Sequence, residues 1–260
     1  MAKPHLYRTE ALVLKRVDFG EADKLLTLYT PTMGKTRAIA KGVRRPTSRL
    51  GGHVELFVHS QMLIAKGRSL DIVTQSETIH SFMSMRQDLG RTSLAYFASE
   101  LLDKLTGEHI ENFPAYELAL RTFQRIDESP DPELVLQFFQ IRLLGHLGYR
   151  PELHHCVKCR VLLGQTGNFF SAVSGGALCL ACGQAEATAR GMSLNAFKML
   201  RLLQSGNYAL ASRVRVDDGL RREVGGILRG YVQFILEHDL KSAAFLDNLH
   251  AAPLEAFVQK

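Results

Sequence analysis

Long apolar runs are missing. Nowhere in the 260 residues is there a stretch near the roughly 18 consecutive apolar positions that a helix needs to cross a bilayer. No membrane span is therefore predicted. The opening residues, Met1 to Arg8, carry no apolar block of the kind a secretory leader has. An unsecreted, cytoplasmic chain is expected. Cysteine is scarce, with four in all, and these fall in two pairs. In an unsecreted chain such pairs point to metal before disulfides. There is no internal repeat and no low-complexity tract. Apolar residues are not in short supply, at 46% against 22% charged, so a packed core is expected and wholesale disorder is not.

Catalytic signatures are missing too. The chain has no nucleophile elbow, no His-Glu-x-x-His helix and no Gly-x-Gly-x-x-Gly loop, and its ten histidines are scattered. Gly34-Lys35-Thr36 imitates the end of a phosphate-binding loop, but the Gly required five positions earlier is Tyr29. The expectation is a protein that is not an enzyme.

What is present is positive charge in one place. Residues 1–80 hold 13 Lys/Arg against 7 Asp/Glu, a net of +6, while residues 81–260 hold 19 of each. The whole excess sits in the first third of the chain. Its densest part is Lys35, Arg37, Lys41, Arg44, Arg45 and Arg49, six cations in 15 residues without one acid. A localised excess of this kind suits a polyanion, because binding releases condensed counterions.

The first 80 residues read as short strands with Gly/Pro punctuation. Ala11–Lys15, Lys24–Tyr29, Lys35–Lys41, Val54–Val58, Gln61–Ala65 and Leu70–Thr74 are the segments, with a turn at Pro31-Thr32-Met33-Gly34. Five or six strands in such a span fit a small barrel, an OB-fold or an SH3-like barrel. Lys35, Arg37 and Lys41 alternate and share one strand face, and Arg44, Arg45 and Arg49 fall in the following loop. A basic face and loop on a small barrel form a track for a phosphate backbone, and Phe19, Tyr29 and Phe57 are candidates to stack on bases.

From about residue 82 the period becomes helical. Leu94, Phe97, Leu101, Leu102 and Leu105 mark one helix, and Pro114 opens a second with Leu118, Leu120, Phe123 and Ile126. Asp131-Pro132-Glu133 is a start signal for a third, which stops at Gly145 or Gly148 before Pro151. Residues 152–190 are loop-rich. Helices resume near Ser193 and run with breaks to about His238. The chain thus divides into an N-terminal nucleic-acid-binding barrel, residues 1–80, and a helical domain, residues 81–260, with an insertion at about 152–190.

That insertion holds Cys156-Val157-Lys158-Cys159, 19 further residues, then Cys179-Leu180-Ala181-Cys182. Two intervening residues let both thiolates of a knuckle reach one ion, and two knuckles complete a tetrahedral structural Zn²⁺ site. Gly183 follows where a tight knuckle favours glycine. His154 and His155 are expected on the surface, since four thiolates fill the tetrahedron. Four metal-free cysteines, reduced or paired, are the alternative. The nucleobase-deaminase pattern is absent, because it needs His-x-Glu and a Pro before a pair, and here Leu178 precedes Cys179.

Ala11-Leu12-Val13-Leu14, Phe19-Gly20-Glu21-Ala22-Asp23-Lys24, Thr30-Pro31-Thr32-Met33-Gly34-Lys35 and Ala40-Lys41-Gly42-Val43-Arg44-Arg45-Pro46-Thr47-Ser48-Arg49-Leu50 follow one another. In this order they resemble the N-terminal signature of the RecO family of bacterial DNA repair and recombination mediators. The resemblance continues through Leu143-Leu144-Gly145-His146-Leu147-Gly148-Tyr149-Arg150-Pro151 to Leu240-Lys241-Ser242. It implies an α+β chain: an N-terminal OB-fold β-barrel followed by a helical domain with a four-cysteine zinc-binding insertion. It implies binding of single- and double-stranded DNA, annealing of complementary strands, and assistance to RecA on DNA coated by single-strand-binding protein. Implied partners are RecR, single-strand-binding protein, RecF and RecA. No membrane is involved, and the place is the cytoplasm, with the nucleoid. A pocket of the helical body for the acidic tail of single-strand-binding protein is also implied, with Arg142 and Arg121 as candidate cations. Many relatives carry arginines after the Leu-Lys-Ser, whereas here Ala243 and Ala244 precede Phe245-Leu246. The alternatives are a protein-interaction scaffold and an RNA-binding zinc-ribbon protein.

Overall fold

The computed structural model describes residues 5–165 and 167–243. They form two compact units, one reaching to Glu128 and one starting at Ser129. Helices up to Glu128 thus belong to the same unit as the strands.

In the first unit five strands close a barrel in the order β1-β2-β3-β5-β4, the strand order of the expected OB-fold. They are β1 (Leu6–Phe19), β2 (Asp23–Thr30), β3 (Gly34–Ala40), β4 (His59–Ala65) and β5 (Asp71–His80). All pairings are antiparallel except β3 with β5, where Ala38 faces Asp71 and Ala40 faces Val73. Strand β1 serves two neighbours. Its Leu6–Leu12 half pairs with β4 and its Leu12–Phe19 half with β2, with a bulge between Val13 and Lys15. Bulges bend a strand, which a barrel this small requires.

Alternation sends Ala11, Val13, Leu26, Leu28, Ala38, Ala40, Met62, Ile64 and Val73 inward. Leu12 and Leu14 point the other way and are also buried. The four-residue run Ala11-Leu12-Val13-Leu14 is apolar because both faces of β1 are covered there, the outer one where helix α2 (Leu89–Leu105) packs. Helix α2 follows the single-turn α1 (Met83–Gln87) and is capped by Asp88, whose side chain accepts from Arg91 N–H at 2.7 Å. Helix α3 (Phe113–Glu128) starts one residue before the expected Pro114, with Asn112 accepting from Ala115 N–H at 3.0 Å.

The expected strand at Val54–Val58 is not one. A short 3₁₀ turn covers Gly51–Val54, and Phe57 has φ 66°, a left-handed value no strand accommodates. The amides of this segment are used elsewhere. Phe57 N–H donates to Val13 O at 2.9 Å and Val13 N–H to Val58 O at 3.1 Å. Its apolar side chains read as strand because they enter a core, Phe57 meeting Tyr96 at 4.9 Å and Phe123 at 5.8 Å edge to face.

In the second unit α4 (Pro132–His146) is apolar around nearly its whole circumference and packs on α6 (Leu194–Ser205) and α8 (Asp218–Leu236). Asp131 caps it through Leu134 N–H at 3.0 Å. It ends at Gly148, φ 87°, with Tyr149 N–H bonded to Leu144 O at 2.8 Å, the six-to-one bond of a Schellman turn. Between α4 and α6 lies the small cysteine module: β6 (Phe169–Ser171), β7 (Gly176–Leu178), the short α5 (Leu180–Gln184) and β8 (Arg190–Gly191), in sheet order β7-β6-β8. The four-residue α7 (Tyr208–Ala211) precedes α8. No helix among the described residues is long and apolar enough to cross a membrane. From Ala244 onward, the expected difference from relatives near the C-terminus lies outside the described residues.

Candidate metal centre and nucleic-acid interface

The four cysteines converge. Their Sγ atoms all lie within 4.8 Å of one another, and Cys159 Sγ is 3.7 Å from Cys179 Sγ. A tetrahedron with metal–sulfur bonds of about 2.3 Å has edges of about 3.8 Å. The backbone explains the convergence. Glu152 N–H donates to Gly175 O at 3.1 Å, Ala177 N–H to Glu152 O at 2.7 Å and Val157 N–H to Ala177 O at 3.0 Å. The approach to the first pair is thereby stitched along β7, which leads directly into Cys179. Gly176 makes this possible, since a Cβ there would lie 2.3 Å from Glu152 O.

Gly183 is needed for a different reason from the expected one. Its backbone is not left-handed; a Cβ would instead fall 2.3 Å from Phe169 Cγ. The Phe169 side chain packs against the second knuckle at Gly183. His154 and His155 are both exposed, and the metal cluster consists of cysteines alone.

The electrostatics already favour a cation. Burial pushes the Cys156 thiol up, but the backbone N–H groups of Cys159, Cys179 and Lys158 overcome this and bring it down to about 6. The Cys182 thiol is pushed up to about 12, first by its bond to Cys179, then by burial and the other thiols. Thiols this close cannot all ionise unless a cation sits among them. Lys158 pairs with Glu186 at 2.8 Å, and Glu186 also accepts from Ser171 and, at 3.0 Å, from Ser174. That carboxylate, held down to about 2 by Lys158 and then Ser171, ties the first knuckle to the β6–β7 turn. The donor set fits a structural Zn²⁺ and leaves no open position for water.

The six basic residues divide. On β3 the inward positions are Gly34, Thr36, Ala38 and Ala40, so Lys35 and Arg37 do share the outer face. Lys35 is nonetheless only 9% exposed. Its Nζ donates to Asp103 O at 2.5 Å and lies 3.3 Å from the Asp103 carboxylate, which also engages Lys15. Burial works to raise the Asp103 carboxyl, and the two ammonium groups hold it below the usual range. Arg37 meets Glu108 at 2.7 Å, and Arg44 meets Asp18 at 3.3 Å. Lys41, Arg45 and Arg49 are exposed and have no carboxylate partner among the described residues.

The loop that carries them is joined to the β1–β2 turn. Arg44 N–H donates to Ala22 O at 2.9 Å and Gly42 N–H to Asp23 Oδ1 at 2.7 Å. At that turn Phe19, which faces Asp23 across β1 and β2, is 46% exposed. Tyr29 and Phe57 are buried, at 0% and 2% exposure, so of the three aromatic candidates only Phe19 presents a ring to solvent. Of the two cations named for a peptide pocket, Arg121 lies on α3 in the first unit and pairs with Glu117 at 2.6 Å, while Arg142 lies on α4 in the second.

Two family models match in series. One described as "Recombination protein O N terminal" covers residues 1–82, and one described as "Recombination protein O C terminal" covers residues 86–244. This chain belongs to the RecO family. It is 43% identical over 247 residues to a protein of Roseiflexus sp. (strain RS-1) named DNA repair protein RecO, covering 95% of this chain and 87% of the relative. A protein of the same name from Dehalococcoides mccartyi is 35% identical over 254 residues, covering 98% of this chain and all of the relative. Another, from Pelotomaculum thermopropionicum, is 37% identical over 249 residues, covering 95% and 96%. RecO relatives therefore match both the barrel and the helical unit, in one continuous order.

Proposed function

We propose that this protein is a non-enzymatic DNA repair and recombination mediator. It binds single- and double-stranded DNA and anneals complementary strands. It acts with RecR and single-strand-binding protein, and with RecF where that is present, to help RecA onto coated DNA in the cytoplasm. Its zinc is structural. Membership of the RecO family supports the class of activity. The observation that carries the DNA-binding part is the barrel loop, where Lys41, Arg45 and Arg49 stand exposed without a carboxylate, beside Arg44 and the exposed ring of Phe19.

The proposed mechanism is electrostatic. Cations with no internal partner neutralise backbone phosphates, and an exposed ring offers a stacking platform to an unpaired base. Lys35 contributes to the barrel's construction, not to this surface. Neutralised strands repel one another less, which speeds their pairing. No group in this scheme makes or breaks a covalent bond.

The test is annealing of complementary strands, bare and precoated with single-strand-binding protein, with and without the chain. Acceleration on coated strands supports the mediator reading. Acceleration on bare strands alone leaves DNA binding standing and removes the contact with single-strand-binding protein. No acceleration on either, with no DNA retained at low salt, replaces this reading with that of a protein-interaction scaffold.

A further inference from the structure

The second unit carries a groove of about 810 Å³ between the β6–β7 turn and the C-terminal end of α8. Its apolar walls face solvent: Tyr149 is 45% exposed, Val173 58% and Phe234 47%. Tyr231 also lines it, buried, with Phe170 against its ring edge to face at 5.5 Å. The turn that supplies Val173 is braced. Ser174 N–H donates to Ser171 Oγ at 3.0 Å, Gly175 N–H donates to Ala172 O at 3.2 Å, and the Ser174 hydroxyl donates to Glu186 at 3.0 Å. A groove with fixed walls spends little ordering energy when something enters it.

Gly230 lines the same groove from the interior of α8. Glycine weakens a helix interior more than any residue except proline. Here neither sterics nor backbone conformation asks for it. A Cβ at Gly230 would meet nothing within 4 Å, and its φ is not positive. What the missing side chain does is leave the groove its depth.

Charge selects the occupant. Glu237 and Asp239 line the groove, are exposed, and have no cation partner among the described residues. No Lys or Arg lines it, although the chain carries a net charge of +6. Helix α8 ends at Leu236, so the negative end of its dipole adds to the two carboxylates. Phosphates and acidic peptides are repelled from such a place. A Lys or Arg side chain is attracted, by the carboxylates and by the faces of the aromatic rings, and its stem covers apolar surface. The volume exceeds one side chain, so a short segment with an apolar residue beside its cation fills it better than a free cation does.

We propose that this groove docks a basic, apolar-anchored segment of a protein partner, its cation held by Glu237 and Asp239 and its apolar side chain seated over Gly230 between Val173 and Phe234. The surface is separate from the barrel loop, and the proposal does not rest on the reading that the chain binds DNA.

The test uses the full-length, metal-loaded chain and a short fluorescein-labelled peptide alternating arginine and leucine, followed by anisotropy. Peptides alternating arginine with serine, and glutamate with leucine, are the comparisons. The arginine–leucine peptide is expected to bind and the other two to bind at least about tenfold more weakly. Gly230→Leu fills the groove and should weaken the peptide by about tenfold or more, with melting temperature and oligonucleotide affinity unchanged. Glu237→Gln with Asp239→Asn should weaken it to a similar extent and flatten its dependence on salt. If Gly230→Leu lowers the melting temperature, Val173→Ser with Phe234→Ser, both at exposed positions, takes its place and should weaken the peptide as much. No binding of the arginine–leucine peptide overturns the proposal, as does equal binding of the arginine–serine peptide. Binding that all these variants leave intact places the peptide elsewhere and also overturns it. A parent chain that sediments as a dimer, and becomes a monomer on Gly230→Leu, assigns the groove to a second copy of the chain and overturns the partner.

Discussion

Lys35 Nζ rests against Asp103, 2.5 Å from its carbonyl oxygen and 3.3 Å from its carboxylate, so the first cation of the basic run is a fastening between β3 and α2. Replacing it with alanine leaves a half-buried carboxylate with Lys15 alone. Lys35→Ala should cost about 2 kcal/mol of stability, the scale of a lost charged hydrogen bond. At temperatures where the variant is still folded its DNA affinity should equal the parent's. Thermal melts paired with oligonucleotide titrations check this. A variant that melts normally but binds DNA weakly would return Lys35 to the binding surface.

Phe19 can be interrogated without interference, because the chain contains no tryptophan. Phe19→Trp should give an emission that is quenched when single-stranded oligonucleotide is added. Phe19→Ala should weaken single-strand binding by about tenfold, within the roughly 1–3 kcal/mol that a stacked base contributes, and leave duplex binding unaltered. Equal losses on both forms of DNA, or no quenching, would remove the ring from the site.

One zinc ion per chain is expected by native mass measurement. Removing it with a chelator should lower the melting temperature of the second unit and leave the barrel's strand signature intact, since all four ligands belong to the second unit. Cys156→Ser should do the same without chelator. A metal-free chain with the parent's melting curve would contradict a structural role.

Acid should loosen the first unit. His59 is 2% exposed, with Nε2 at 3.1 Å from Glu10 and 3.0 Å from the Tyr116 hydroxyl, and His80 stacks on it at 5.6 Å. Its Nδ1 is buried without a partner. Burial first, with His80 adding to it, lowers its affinity for a proton, while Glu10 works the other way. The unfolded chain therefore binds the proton more readily than the folded one. Stability is complete above the ordinary histidine value of about 6.5 and is lost as the pH falls below it. Denaturant midpoints between neutral and mildly acidic pH should fall for the parent and fall less for His59→Gln. Parallel slopes would show that another group controls acid stability.

Local signals carried much of this fold into the sequence. The alternation in β1 to β3, Asp131-Pro132 before α4 and the paired cysteines each depend on neighbours a few residues away. Two features did not show, for one shared reason. Val54–Val58 has the composition of a strand, but its amides are used by Val13 at a bulge more than forty residues back. Lys35 alternates like a surface residue, and only Asp103, 68 positions on, reveals that it is buried. Gly183 stood in between: the position was legible, but its cause, the ring of Phe169, was not.

Strand β1 has a consequence for biosynthesis. Its first half waits for β4, with Leu12 opposite His59 and Leu6 opposite Ala65, separations of 47 and 59 residues. At about 5–20 residues per second, a ribosome leaves that edge without its partner for roughly 2–12 s. The hairpins of β1, β2 and β3 can form in the meantime, but the outer edge of β1 stays open, and with it the apolar Ala11-Leu12-Val13-Leu14. Translation that pauses between Thr30 and His59 would hold the nascent chain at the stage when it is most prone to pair with another copy of itself.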